Sequence, residues 1–228
     1  MQVIRTEHGL RLSQHGVVIS ELRTSPGPTH SVFDVLAALL ILLRPVGNIG
    51  VLGFAGGGMI APLRALGLKA RLKTVDLDQE SYALFRQHCP TWGNDVVWTN
   101  ADAIAWLKQQ APDFDLLLDD LSIPLNDDVV KPEICWQELP GLMQQKLKRE
   151  GVAIFNQVSP PAEGWLAGLE KITSPFQAVR LIHLDDFENR IVLAGSELPT
   201  ARALSSGLRK LLRQIHSRQA DRLHVRSL

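Results

Sequence analysis

The chain has 228 residues, enough for one sizeable α/β domain and too few for two independent cores. Hydrophobic residues make up 45% and charged residues 21%, a balance that excludes a disordered chain and fits a soluble globular one. Lys+Arg and Asp+Glu number 24 each, so no overall field points to nucleic acid or to a membrane surface.

That neutrality conceals local asymmetry. Asp113 to Asp128 holds six aspartates and no base, while residues 201–228 hold seven arginines and lysines against one aspartate. Cys89 and Cys135 are far apart and match no metal-ligand spacing; they suit a reduced, cytoplasmic compartment, with a single disulfide left open. No basic stretch leads into a long apolar run with a small-residue cleavage site, so no secretory leader is expected. Val35–Leu43 is strongly apolar but falls well short of the about 20 residues that span a bilayer. It reads as a buried helix.

In chain order, Leu10–Leu12 and Val17–Leu22 read as the strands of a short hairpin turning at His15-Gly16, after which Ser25-Pro-Gly-Pro28 breaks the chain. A helix is predicted from about Ser31 to Leu43, with Ser31 as N-cap, Asp34 in the first turn, and Pro45 and Gly47 ending it. From Asn48 onward short apolar strands alternate with amphipathic helices. Strands are predicted at Ile49–Phe54, Arg71–Asp76, Val96–Thr99, Asp115–Leu118 and Val152–Asn156, and helices near 59–67, 78–88, 102–110, 133–148 and 161–172. Such alternation makes βαβ units and a parallel sheet covered on both faces. Ala178–Leu184 and Arg190–Ala194 are separated by Asp185–Asn189, too few residues for a parallel crossover, and are expected to form an antiparallel hairpin at one sheet edge. In the tail, Leu204, Leu208, Leu211, Leu212 and Ile215 fall at helical spacing, with Arg209, Lys210, Arg213 and Arg218 mostly off that stripe. The expectation is a terminal helix packed on the domain; a homodimer contact or a surface for an acidic partner is the other use. The chain thus divides into an N-terminal β-hairpin segment (1–30), an α/β domain (31–200) and a basic amphipathic helix (201–228).

Three motifs carry chemistry. Val51-Leu-Gly-Phe-Ala-Gly-Gly-Gly58 runs from a strand into a helix, and Gly53, Ala55, Gly56, Gly57 and Gly58 allow the backbone to turn tightly and approach a ligand. Asp76, twenty residues after Gly56, ends the next strand, where an acid can accept hydrogen bonds from ribose hydroxyls. Asp102 follows the third strand, as an N-cap, as an acceptor for an adenine amino group, or as both. Asp115-Leu-Leu-Leu-Asp-Asp120 is a buried strand ending in carboxylates. In open α/β sheets ligands lie outside the carboxyl ends of strands near the switch in strand order, so Asp119 or Asp120 is placed to act on a reacting group.

From Val51 to Gln157 the sequence resembles the spermidine synthase (polyamine aminopropyltransferase) family, a branch of the class I S-adenosylmethionine-dependent methyltransferase fold. Val51–Gly58 resembles its glycine loop, and Thr74-Val-Asp-Leu-Asp78 its ribose-binding strand end. Asn100-Ala-Asp-Ala103 resembles its adenine-contacting segment, Phe114–Pro124 its catalytic strand and loop, and Gly151–Gln157 its fifth strand. The resemblance implies a Rossmann-like sheet of five parallel strands closed by an antiparallel C-terminal hairpin. It also implies S-adenosylmethionine or its decarboxylated form as cofactor, and adds Leu77 and Ala103 to the cofactor-binding residues. His30, in Thr29-His30-Ser31, opens the first helix beside the expected pocket mouth, either as a substrate-side residue or as a plain polar residue at a helix start.

The departures from that family are informative. Its Asp after the glycines, which holds the aminopropyl amine, is replaced by Gly58 or Met59. Its second catalytic-loop Asp is replaced by Ile123, and its Tyr-His-Glu by Thr29-His30-Ser31. A polyamine is a multiply charged cation held by carboxylates, so these losses argue against ordinary aminopropyl transfer. They favour methyl transfer to another small acceptor, a cationic one if the acidic run serves it, with Asp120 taking the acceptor's proton. Two readings compete. Gly53-x-Ala55-x-x-Gly58 with Asp76 is also a degenerate dinucleotide fingerprint, suiting an NAD-dependent oxidoreductase. A regulatory protein that kept the nucleoside pocket and lost catalysis is the other. The histidines are scattered without ligand spacing, so no metal is expected.

Overall fold

The computed structural model describes residues 2–14, 16–44, 46–68, 71–125 and 128–228. His15 of the expected turn, Pro45 after the first helix and Asp127 of the acidic run lie outside the described residues. The chain opens with three strands, β1 (Gln2–Thr6), β2 (Gly9–Gln14) and β3 (Val17–Arg23), paired antiparallel in that order. The expected hairpin is β2–β3. β1 lies outside it and is exposed along its whole length, and its apolar Val3 and Ile4 are adjacent rather than alternating, so no period-two signal marked it.

Helix α1 (Val32–Leu43) begins at Ser31, whose side chain accepts a hydrogen bond from Phe33 N. Nine of its residues are buried, which explains its nearly continuous apolar sequence. There follow β4 (Ile49–Leu52), α2 (Ile60–Ala65), β5 (Leu72–Asp76), α3 (Gln79–His88), β6 (Val96–Asn100), α4 (Ala103–Gln109) and β7 (Phe114–Asp119). A small hairpin, β8 (Ile123–Leu125) with β9 (Asp128–Val130), was not expected from the sequence. After it come α5 (Glu138–Lys146), β10 (Leu147–Gln157), α6 (Trp165–Thr173), β11 (Ala178–Leu184), β12 (Phe187–Gly195), α7 (Ala201–Gln214) and β13 (Leu223–Ser227). The helix predicted near 133–148 is shorter, because Pro140 is tolerated in the first turn of a helix and not in its interior. α6 starts later than predicted, behind Gly164 at φ +91°.

Among the described residues, the central sheet has the order β13-β11-β12-β10-β7-β4-β5-β6. β6, β5, β4, β7 and β10 run parallel, and β12 lies antiparallel between β10 and β11. The α/β sheet with five parallel strands and an antiparallel ending is as expected. The C-terminal hairpin, however, does not form the edge: β13 pairs antiparallel with β11 and covers it. In β13 Leu223 is buried and His224 exposed, an alternation too short and too polar to stand out in a basic tail.

Alternate residues of the parallel strands serve two cores. Leu116, Leu118, Val152 and Ile154 join α1, α2, α3, α7 and the inner face of the N-terminal sheet. Phe114, Leu117, Ala153 and Phe155 join α4, α5 and α6. The C-terminal helix packs as expected: Leu204, Leu208 and Leu212 are fully buried, and Gly207 admits Leu42 of α1 where a Cβ would come within 2.8 Å of it. Cys89 and Cys135 are both buried free thiols, which closes the disulfide question. Among the described residues no helix is long and apolar enough to cross a membrane.

Candidate functional site

The order of strands reverses between β4 and β7, and the carboxyl ends of these two strands meet there. Gly53 leaves β4 at φ +86°, and a Cβ on it would lie 2.6 Å from the carbonyl oxygen of Asp120, which follows β7. Glycine is required where the two chain ends pass. Gly53 N donates to Val75 O at 3.0 Å, and Gly57, at φ +73°, donates to Phe54 O at 2.8 Å, closing a turn ahead of α2. The other two glycines make room for protein: a Cβ on Gly56 would collide with Leu22 and Leu12 of the N-terminal sheet, and one on Gly58 would meet the Phe33 ring at 2.8 Å.

Asp76, at the end of β5, fastens this loop. Its Oδ2 accepts from Phe54 N (2.6 Å) and Ala55 N (2.7 Å), and its Oδ1 accepts from Asp78 N (2.9 Å). A carboxylate has about four acceptor sites, so capacity for a further donor remains on Oδ1. That suffices for one ribose hydroxyl without opening the loop. The end of β6 is tied to the same place, with Asn100 Nδ2 donating to Asp76 O (3.0 Å) and Leu77 O (3.1 Å) and Ala101 N donating to Asp76 O (3.3 Å). Leu77 keeps 71% of its surface exposed, an apolar platform at the strand ends. Asp102 caps α4 through Ala105 N at 2.8 Å and is exposed, and Ala103 is buried behind it. Gly53, Ala55, Asp76, Leu77 and Asp102 are therefore brought together at the ends of β4, β5 and β6, with acceptor capacity left on Asp76.

The two adjacent carboxylates separate to opposite faces of the sheet. Asp120 lies half-buried on the face of Leu116 and Leu118, where its Oδ1 accepts from Asn156 Nδ2 at 2.7 Å. Burial pushes its carboxyl up to about 6, with the Asn156 bond and the Lys131 charge opposing the rise and Asp119 and Asp76 adding to it. Asp119 is fully buried on the other face, ion-paired with the equally buried Lys131 at 2.8 Å and accepting from Leu121 N at 3.0 Å. Burial raises the Asp119 carboxyl. Burial is the largest influence on the Lys131 ammonium and works against it, but Asp119, Cys135 and Asp120 together outweigh it and hold the cation above its usual range. Lys131 also donates to Leu121 O at 2.7 Å, closing the segment that carries β8 and β9. Asp119 thus anchors this loop, and Asp120 faces the gathered strand ends.

The acidic run does not form one surface. Asp113 and Asp115 sit at the start of β7, where they bind Asn48, and Asp115 is also paired with Lys148 at 2.9 Å. His30 adopts φ +60° and is fixed by neighbours: its N–H donates to Asp34 Oδ2 (2.9 Å), and its carbonyl accepts from Gln219 Nε2 (2.9 Å). Its ring Nδ1 accepts from Arg218 N at 3.4 Å, and burial lowers its pKa. The sequence reading missed Lys131, Asn156 and Asn189. Asn156-Gln157 did carry a signal, two polar residues closing an apolar strand at its carboxyl end.

No protein-family model matches the sequence, and no curated protein matches it. Solved structures do. Human methyltransferase-like protein 13 in complex with SAH matches with TM-score 0.60 and 19% identity, over 82% of this chain and 91% of that one. Spermidine synthase from Thermotoga maritima matches with TM-score 0.66 and 13% identity, over 93% and 73%. A spermidine synthase in complex with the transition state analogue AdoDATO matches with TM-score 0.64 and 12% identity, over the same shares. The fold is that of the class I methyltransferases. At these identities the likeness concerns the fold, and the chemistry has to be argued from the residues.

Proposed function

We propose that this chain is an S-adenosyl-dependent transferase, holding the nucleoside across Gly53, Ala55, Asp76, Leu77 and Asp102 and moving a methyl group to a small acceptor beside Asp120. The observation that carries the reading is the meeting of Gly53 and Asp120 at the switch in strand order, with Asp76 fastening the same loop. S-adenosylmethionine supplies a methyl carbon on a sulfonium: the acceptor's lone pair forms the new bond, and the carbon–sulfur pair returns to sulfur, leaving a thioether. Asp120 receives the proton that the acceptor loses. With its carboxyl near 6 it is a stronger base than an ordinary aspartate and is still ionised at neutral pH. Asp119, paired with Lys131 on the other face, does not compete for that proton.

Methyl transfer is preferred to aminopropyl transfer because the positions that would grip a polyamine carry no carboxylate. Gly58 lies under Phe33, and Ile123 is an exposed apolar residue of β8. Thr29 and Ser31 bond each other at 2.8 Å beside Asp34, whose carboxylate is taken up by Thr29, His30 and Ser217. Calorimetric titration with S-adenosylmethionine and with its decarboxylated form separates the two reactions. Tighter binding of the carboxylated form is expected; tighter binding of the decarboxylated form restores aminopropyl transfer. Asp120→Asn is expected to keep nucleoside affinity while losing most turnover, by about 100-fold or more. A protein with nucleoside affinity and no turnover in either form, across a panel of amine, hydroxyl and thiol acceptors, is a binder instead.

A further inference from the structure

Three polar side chains stand in a row on one face of the sheet, at the carboxyl end of β7 and in β10 and β12. The ladder pairs Phe155 with Asp119 and Asn156 with Ile191, which puts Asp120, Asn156 and Asn189 on the same face across three neighbouring strands. Asn156 is 3% exposed and bonded on both sides: its Nδ2 donates to Asp120 Oδ1 at 2.7 Å, and its Oδ1 accepts from Asn189 Nδ2 at 2.9 Å. Nothing in the Asp120 role already described requires Asn189.

We propose that Asn189 and Asn156 form a directional hydrogen-bond relay that orients Asp120 and holds it as the proton-accepting anion; both are positioning residues, and the inference deepens the reading of Asp120 as the base. The direction follows from the chemistry of the ends. An ionised carboxylate accepts and never donates, so the Asn156 amide must turn its NH2 toward Asp120. Its oxygen then faces Asn189, which must donate. Protonation, taken up on Oδ2, leaves Oδ1 a neutral carbonyl acceptor, and the bond from Asn156 loses its charge-assisted strength. The Asn156 amide cannot turn over to accept from the new hydroxyl without setting its NH2 against the NH2 of Asn189. Proton uptake therefore weakens the Asn156 bond, and Asn189 blocks the rearrangement that would compensate. The relay offsets part of the effect of burial, alongside Lys131 and against Asp119 and Asp76, the other charged groups facing Asp120.

The test is an NMR titration of the Asp120 side-chain carbon in protein labelled with 13C-aspartate, assigned by its loss in Asp120→Asn. It is run on the full chain and on two variants whose melting temperatures confirm folding. Asn189→Asp keeps the shape and reverses the polarity: residue 189 now accepts, Asn156 turns its NH2 to it, and the Asn156 oxygen meets Asp120. The Asp120 midpoint is expected to rise by about 1 unit or more, the worth of a hydrogen bond to a charged group. Asn189→Leu carries no charge and removes the donor, and a smaller rise in the same direction is expected. Unchanged midpoints in both variants overturn the relay. So does a rise in Asn189→Asp with none in Asn189→Leu, since the added charge alone then explains it. The titration needs no ligand, so a wild-type chain that fails to bind S-adenosylmethionine sinks the transferase reading and leaves this result standing.

Discussion

Asp119 and Asp120 are neighbours in sequence and opposite in circumstance, because successive side chains of a strand point to opposite faces. Asp119 has Lys131 as partner, both side chains being fully buried, and removing one member of such a pair strands the other's charge. Lys131→Met is expected to cost roughly 3–5 kcal/mol in urea unfolding, and adding Asp119→Leu is expected to recover most of that loss. A single variant as stable as the wild type would show that the pair is not charged. Asp120 makes a linkage prediction of opposite character. Its folded-state pKa, about 6, lies above the usual value of about 3.9 for an unfolded chain. The folded protein therefore holds the extra proton in that interval, and the stability this contributes is present at low pH and lost as pH rises through 6. Unfolding midpoints of the wild type minus those of Asp120→Asn should fall between pH 4.5 and pH 7.5; a constant difference contradicts the assigned burial. Turnover should rise through the same interval as the base ionises. Two adjacent aspartates stood out in the sequence as candidates for a site, Asp119 or Asp120. Their division of labour was not legible, because Lys131 lies twelve positions away and looks like an ordinary surface lysine in a linear reading.

The elements that position the site were largely legible. Apolar runs flanked by glycine and aspartate marked β4, β5, β6 and β7 within a few residues and the apolar half of β10, whose polar start at Leu147 lies in the stretch expected to be helical; Ser31, Asp78 and Asp102 cap α1, α3 and α4 with their side chains. The glycine loop was legible as a loop, but not for the reasons its glycines are there. Gly53 is required by φ and by the Asp120 carbonyl, whereas Gly56 and Gly58 receive the N-terminal sheet and α1. Those contacts span distances in sequence that no local pattern records. Gly67, at φ +85° with open space around its missing Cβ, provides the control. Gly67→Ala is expected to cost about 1 kcal/mol for the backbone alone. Gly53→Ala adds a backbone clash and is expected to cost more, roughly 2–4 kcal/mol, and to abolish nucleoside binding. Equal losses in denaturant titration would mean that β7 yields at the crossing and does not fix the loop.

Across the whole molecule, the C-terminal segment closes the structure onto its beginning. Ser217 donates to the buried Asp34 at 2.6 Å, Gln219 reaches the His30 carbonyl, and Arg209 of α7 donates to the carbonyls of Ala220 and Leu223. β13 then covers the edge of β11. The sequence indicated the amphipathic helix, but a lone strand in a basic tail owes its place to the partner strand more than to its own pattern. Deleting residues 217–228 leaves Asp34 one partner short and β11 as an open edge. Hydrogen exchange of the β11 amides is expected to accelerate by orders of magnitude in that variant, with β4 and β7 protected as before. Unchanged protection would show that β13 adds nothing to the sheet.

In the proposed function a nucleoside binds at the carboxyl ends of β4, β5 and β6 with Asp76 as its acceptor. Calorimetric titration with S-adenosylhomocysteine of the wild type, Asp76→Asn and Asp120→Asn tests it most directly. Saturable one-to-one binding is predicted for the wild type, about 10-fold or more weaker in Asp76→Asn and nearly unchanged in Asp120→Asn. Absence of binding in the wild type, or equal affinity in all three proteins, would contradict the site.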